Sequence, residues 1–170
     1  MGKESALLFS TGFQAGQGTI FPLMGRKDTI FSDRENHASI VASNMLASSL
    51  GVDVVRYKHN DMTDLEKRLS KLDKDAPKLI ATDGVFSTFG DIVKLDDLTK
   101  LAKEYNANVV VDDAHAFGVI GEGGRGTGHH FGVQDDVDLT VCTFSKTLAS
   151  IGGFVVGDER VINYLKHKSP

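Results

Sequence analysis

Short, continuously apolar runs alternate along this chain with longer stretches whose apolar residues recur every three or four positions. The runs at 6–9, 29–32, 53–56, 79–82, 108–111, 138–142 and 154–156 read as β-strands. Several are unbroken and β-branched, Val109, Val110 and Val111 above all, as strands covered on both faces are. Between them lie predicted helices. One spans 14–24, and a second spans 37–50 and closes at Gly51, a favourable residue just past a helix end. Thr63 and Glu66 have capping-box spacing ahead of Leu65, Leu69 and Leu72. Leu95, Leu98, Leu101, Ala102 and Tyr105 form the next stripe, and Asp158 can cap a last helix carrying Val161, Ile162 and Leu165. This alternation predicts an α/β fold: a mainly parallel seven-stranded sheet with helices on both faces, joined by right-handed crossovers. Ligands of such sheets sit beyond the carboxyl ends of the strands.

Composition narrows the function classes. With 41% hydrophobic and 25% charged residues the chain reads as one ordinary globular domain of 170 residues. Its net charge of −4 argues against binding nucleic acid through bulk positive charge. No apolar run is long enough for a transmembrane segment, and the first residues contain no signal-peptide core. The single cysteine, Cys142, excludes an internal disulfide and fits a reducing, cytoplasmic setting. Glycine is in excess, at 18 residues, and Gly118, Gly121, Gly123, Gly124, Gly126, Gly128 and Gly132 crowd one short segment. Such a segment is a loop defined by its backbone.

The candidate chemistry collects at predicted strand ends. Asp112-Asp113-Ala114-His115 follows the valine run, and Asp83 through Ser87 follow the strand at 79–82. Thr143-Phe144-Ser145-Lys146 follows the strand at 138–142, His37 comes soon after the strand at 29–32, and Thr11-Gly12-Phe13 follows the first strand. A lysine between two apolar strands can be desolvated, which lowers its pKa and makes its amine nucleophilic. An acid emerging from a buried strand needs a cationic partner, and a protonated pyridine nitrogen is one. Taken singly these residues have blander readings: Lys146 as a solvated loop lysine, His37 as a helix opener, Ser87 and Thr143 as turn residues, Gly12 as a turn glycine.

Other motifs lead elsewhere and fail. Gly121, Gly123 and Gly126 satisfy G-x-G-x-x-G, but Thr127-Gly128-His129-His130 reads as a poor helix opening, which argues against a dinucleotide site. Asp112 to His115 resembles an ATPase acidic box, yet no Gly-Lys-Ser or Gly-Lys-Thr is present. Adjacent His129 and His130 do not face one direction, so no metal site is expected. Cys142 reads as a small buried hydrophobe.

Five segments in order resemble the α-oxoamine synthase family, pyridoxal 5′-phosphate (PLP) enzymes of the aspartate aminotransferase fold. They are FSTGFQAGQGTI (9–20), DRENHASI (33–40), TDGVFSTFGDIVKLDDL (82–98), VDDAHAFGVIGEGGRGTGHHFG (111–132) and TFSKTLASIGGFVVG (143–157). Within the family, FSTGF, HNDMTDLEKRL and TFSKTLASIGGFVV look most like the serine palmitoyltransferase branch. IATDGVFS is similar to the 2-amino-3-ketobutyrate CoA ligase branch, and DDAHAFGVIG also to the 8-amino-7-oxononanoate synthase branch.

The resemblance implies a large PLP-binding domain over 1–170, cut from a longer enzyme at both ends, with a small C-terminal domain absent. It implies that Lys146 carries PLP, that Asp112 pairs with the pyridine nitrogen and that His37 stacks on the ring. His115 and Ser87 would lie at the ring hydroxyl, with Thr143 and the amides of Gly12 and Phe13 at the phosphate. Lys146, His37 and Asp112 would be catalytic. The implied reaction condenses serine, glycine or alanine with an acyl-CoA thioester, with decarboxylation, to give an α-amino ketone in a homodimer. A PLP aminotransferase, or a cofactor-binding core without turnover, are the alternatives. The glycine segment would shape the backbone after the Asp112 strand, with Arg125 fixing it.

Overall fold

The computed structural model describes residues 1–169. Its strands are β1 (Ser5–Phe9), β2 (Thr29–Asp33), β3 (Asp53–Tyr57), β4 (Lys78–Asp83), β5 (Asn108–Asp112), β6 (Leu139–Thr143) and β7 (Gly153–Gly157). Its helices are α1 (Gly12–Leu23), α2 (Ala38–Ser49), α3 (Met62–Leu69), α4 (Leu95–Glu104), α5 (Thr127–Phe131) and α6 (Glu159–Lys168). All seven strands form one sheet in the order β1-β7-β6-β5-β4-β2-β3. The fold is the expected α/β architecture with a mostly parallel sheet. Only β7 runs against its neighbours, because the loop from β6 is too short for a crossover and closes a hairpin instead.

Two apolar layers flank the sheet. Ala15 and Ile20 of α1, Ile40 and Ala47 of α2, and Ile162 and Leu165 of α6 pack on Ile30, Leu79, Ala81, Val110, Leu139, Val141 and Val155. On the other face Leu65 and Leu69 of α3 and Leu95, Leu98 and Ala102 of α4 cover Phe31, Ile80, Val109 and Val111. The side chains of the valine run therefore divide between the two layers, as period-2 alternation requires. Cys142, fully buried with Phe154 and Val156, joins a smaller third cluster.

Three helix starts differ from expectation. Helix α1 opens at Gly12, because Thr11 is its cap and accepts from the Gln14 N–H at 3.0 Å. Helix α3 opens at Met62 on an Asp61 cap, which accepts from Asp64 N–H at 3.0 Å; the capping-box pair Thr63 and Glu66 is already inside the helix. The poor opening at Thr127 is a short helix after all. Its start is fixed from outside: Asp113 takes both the Thr127 N–H (2.8 Å) and the Thr127 hydroxyl (2.5 Å). Asp158 caps α6 as expected, accepting from Arg160 N–H at 2.8 Å.

Candidate active site

Beyond the carboxyl ends of β5 and β6 lies a cavity of about 310 Å³. It is lined by Thr11, Gly12, Phe13, His37, Ser39, Asp112, Ala114, Cys142, Thr143, Ser145 and Lys146. Six residues singled out from the sequence line this one space: Gly12, Phe13, His37, Asp112, Thr143 and Lys146. His115 joins from the side, its Nε2 2.5 Å from the Lys146 amine. Ser87 does not line the cavity; it lies exposed on the turn after β4, and no side-chain hydrogen bond holds it among the described residues.

Each side chain has a local reason for its place. His37 caps α2: its Nδ1 accepts from the Ser39 N–H at 3.2 Å and pairs with the Ser39 hydroxyl at 2.9 Å. That leaves Nε2 as the free ring nitrogen. The His37 N–H donates to Asp83 Oδ2 at 2.8 Å, while the Asp83 N–H donates to Asn36 Oδ1 at 3.0 Å. Asn36 in turn donates to Ala81 O at 2.8 Å and to the Ser32 hydroxyl at 2.9 Å. This clasp fixes the β2–α2 loop to the end of β4. Asn36 and Asp83 belong to the site's scaffold; the sequence places Asp83 at a strand end without pointing to its partner. The signal was a buried-strand acid at position 83 facing a loop with an amide, which adjacency in sequence does not reveal.

The wall of the cavity at the start of α1 is built by close approach. Gly12 has no room for a side chain, because an added Cβ would lie 2.6 Å from the Thr143 hydroxyl. Gly153 likewise abuts the Gly12 backbone, where an added Cβ would sit 2.7 Å from Gly12 Cα. The first N–H groups of α1 have no partners within the helix and carry its positive dipole end, a place suited to an anion. The Thr143 hydroxyl, held by Gly152 O (3.1 Å) and Ser145 (2.9 Å), sits against this same terminus.

Buried carboxyls dominate the electrostatics of this site. Asp112 is 7% exposed and has no salt-bridge partner among the described residues. Burial pushes its carboxyl up, eased by the Ala114 N–H and by His37 and Lys146. Asp83, opposite Asp112 in the β4–β5 register, is pushed up to about 8, first by burial and then by the Asp112 charge. The Lys146 amine is lowered by burial, against the pull of Asp112 and Asp83. Burial and the neighbouring Lys146 lower His115 too. A pyridinium nitrogen beside Asp112 would pair with this buried carboxyl, and a phosphate monoester would meet the α1 terminus. The donor set therefore fits PLP.

A model of the aminotransferase class I and II family matches residues 1–169. The chain belongs to that family. Curated relatives carry two of the three branch names expected from the resemblance to α-oxoamine synthases. The serine palmitoyltransferase of Sphingobacterium spiritivorum is 55% identical over 99% of this chain and 42% of its own length. An 8-amino-7-oxononanoate synthase of Thermoanaerobacter pseudethanolicus is 46% identical over 98% of this chain and 42% of its own. Among solved structures, a lysine-to-alanine serine palmitoyltransferase from S. paucimobilis with a bound PLP–myriocin aldimine superposes with a TM-score of 0.93. It is 36% identical over 99% of this chain and 42% of its own. The chain thus spans about two fifths of the length of the relatives it matches.

The glycine segment follows β5 and folds back on it. Its anchor is Asp113, 1% exposed, whose carboxylate occupies the space that side chains on Gly84 and Gly126 would need. The expected anchor, Arg125, contributes through its backbone, which bridges to Phe117, and its side chain forms no ion pair among the described residues. Asp113 went unassigned in the sequence because its partner Thr127 lies fourteen residues away, across a loop of unspecified path.

Proposed function

We propose that this chain is the PLP-binding part of an acyl-CoA:amino acid C-acyltransferase of the serine palmitoyltransferase type. It would condense serine with a long-chain acyl thioester and release CO2 and free CoA. The observation that carries this reading is a buried Asp112 facing the same cavity as Lys146, whose amine pKa is lowered by partial burial. The 55% identity to a serine palmitoyltransferase supports the choice of reaction.

Bound PLP would supply an electron sink for a carbanion at the amino acid's α-carbon. The protein's residues do the rest. Asp112 would keep a proton on the ring nitrogen by holding it in a buried ion pair. Lys146 would bind the cofactor and afterwards move the α-proton, a task eased by its lowered pKa. His37, fixed by Ser39 and Asp83, would cover one face of the ring. Thr143 and the Gly12 and Phe13 amides would hold the phosphate, and His115 and Ser87 the ring hydroxyl. Ser87 would have to turn inward from its exposed position.

The remaining length of the relatives would provide a C-terminal domain and the group that binds the substrate carboxylate. A homodimer is supported by the outward side of α2, where Met45 stands 70% exposed, and by Leu50 just past the helix, 54% exposed. No helix among the described residues is long and apolar enough to cross a membrane. The buried thiol of Cys142 fits a cytoplasmic location.

The 46% identity to an 8-amino-7-oxononanoate synthase favours a second reading, in which the amino acid is alanine. Incubating the full-length, PLP-loaded protein with serine, glycine or alanine, each with palmitoyl-CoA or with a seven-carbon ω-carboxyacyl-CoA, and following CoA thiol release, separates the two. Serine-dependent release is expected. Release with alanine alone selects the second reading, and transamination without CoA release overturns both.

A further inference from the structure

We infer that Thr147 is a positioning residue for Lys146, and that the glycine segment serves as its seat. Lys146 lies in the β6–β7 hairpin loop, whose residues from Ser145 to Ile151 are all exposed. The loop has little of its own to hold it: Ala149 N–H meets Lys146 O at 3.2 Å, and Ser150 N–H meets Phe144 O at 3.0 Å. Among the described residues, two side-chain hydrogen bonds tie 146–151 to the rest of the molecule. One is the Lys146 amine on His115; the other is the Thr147 hydroxyl, which donates to Phe117 O at 2.8 Å.

The acceptor is placed with care. Phe117 N–H donates to Asp113 O at 2.8 Å, so Phe117 hangs from the acid that anchors the glycine segment. Gly118 follows with φ +78°, and an added Cβ there would strike the Thr147 side chain. From behind, Gly118 N–H donates to Gly124 O at 2.7 Å, and a Cβ on Gly124 would come within 2.9 Å of Gly118 Cα. Two glycines thus thin the backbone where Thr147 docks. The same turn carries His115, so one rigid unit touches both the amine of Lys146 and the residue that follows it. Fixing the backbone that carries a long, exposed lysine narrows the volume its amine can reach, and small misplacements of a reacting group are costly in rate.

This inference rests on Lys146 being the cofactor lysine. The test compares Thr147→Val, Thr147→Ser and, independently, Gly118→Ala in the full-length protein. Three quantities are read: amide exchange over 144–150, the pH midpoint for acylation of the Lys146 amine in cofactor-free protein, and kcat and KM of the PLP-loaded protein. Thr147→Val should speed exchange about tenfold and raise the midpoint toward that of an ordinary lysine by about one pH unit. It should lower kcat about tenfold with KM for the amino acid within about twofold. Thr147→Ser should restore all three, and Gly118→Ala should behave like Thr147→Val. A Thr147→Val protein that exchanges and acylates like the wild type overturns the inference, as does a Thr147→Ser protein as impaired as Thr147→Val. Wild-type protein that takes up no PLP overturns the proposed function instead, and the exchange and acylation results still decide for or against Thr147.

Discussion

Asp112 and Asp113 are adjacent in sequence and lead separate lives in the fold. Chain direction sends successive side chains at a strand end to opposite faces. Both are buried, and burial pushes both carboxyls up, Asp113 to about 6. What differs is the company. Asp113 is closed in by Thr127, Gly84 and Gly126, so its bonding is complete within the chain. Asp112 accepts the Ala114 N–H at 3.0 Å and otherwise faces the cavity lined by Lys146, with no salt-bridge partner among the described residues. Burial therefore does not distinguish the two acids; the partners each finds within the chain do.

Substitutions can break or sharpen that contrast. The largest effect is expected from Asp112→Asn, which should lower CoA release by a hundredfold or more while the melting temperature holds. A fall in stability without loss of turnover would reverse the roles given to the two acids. Asp113→Ala should do the opposite kind of damage. It strands the Thr127 N–H and hydroxyl, so chemical unfolding should show a loss of about 3 kcal/mol. Gly126→Ala, at φ +93°, forces a side chain toward the Asp113 carboxylate and should cost about 2 kcal/mol by the same measurement. The smallest effect concerns pH. Asp83 is held at about 8 against an ordinary 3.8, so folding favours its protonated form. That contribution is complete below about pH 4 and is lost as pH rises to 8. His59, raised by Asp33 and Asp91 against the opposing pull of burial, loses its contribution in the same direction. Cofactor-free protein should melt several degrees lower at pH 8.5 than at pH 5.5, and Asp83→Asn should flatten the slope. A melting temperature that climbs across this range would contradict the charge assignments.

Much of the fold was legible because its strands are short, buried and β-branched, so Val109 to Val111 and their counterparts stand out from any helical period. Helix starts were less legible. Thr11 and Asp61 cap one or two residues away from the apolar stripes, and α5 starts where a residue distant in sequence satisfies Thr127. In the site, Lys146, Asp112, His37, Thr143, Gly12 and Phe13 were readable because each emerges at a strand's carboxyl end or the loop beyond it, where an α/β sheet concentrates its ligands. The supports were not. Asp83 to His37, Asp113 to Thr127 and Thr147 to Phe117 join residues fourteen to forty-six apart, and only the paths of the loops bring them together.

The central claim is that these residues assemble a PLP site on Lys146. Borohydride reduction of the full-length protein after PLP loading, followed by peptide mass mapping, tests it most directly. A phosphopyridoxyl group on Lys146 is the predicted result, and its absence there, or its presence on a different lysine, would contradict the account.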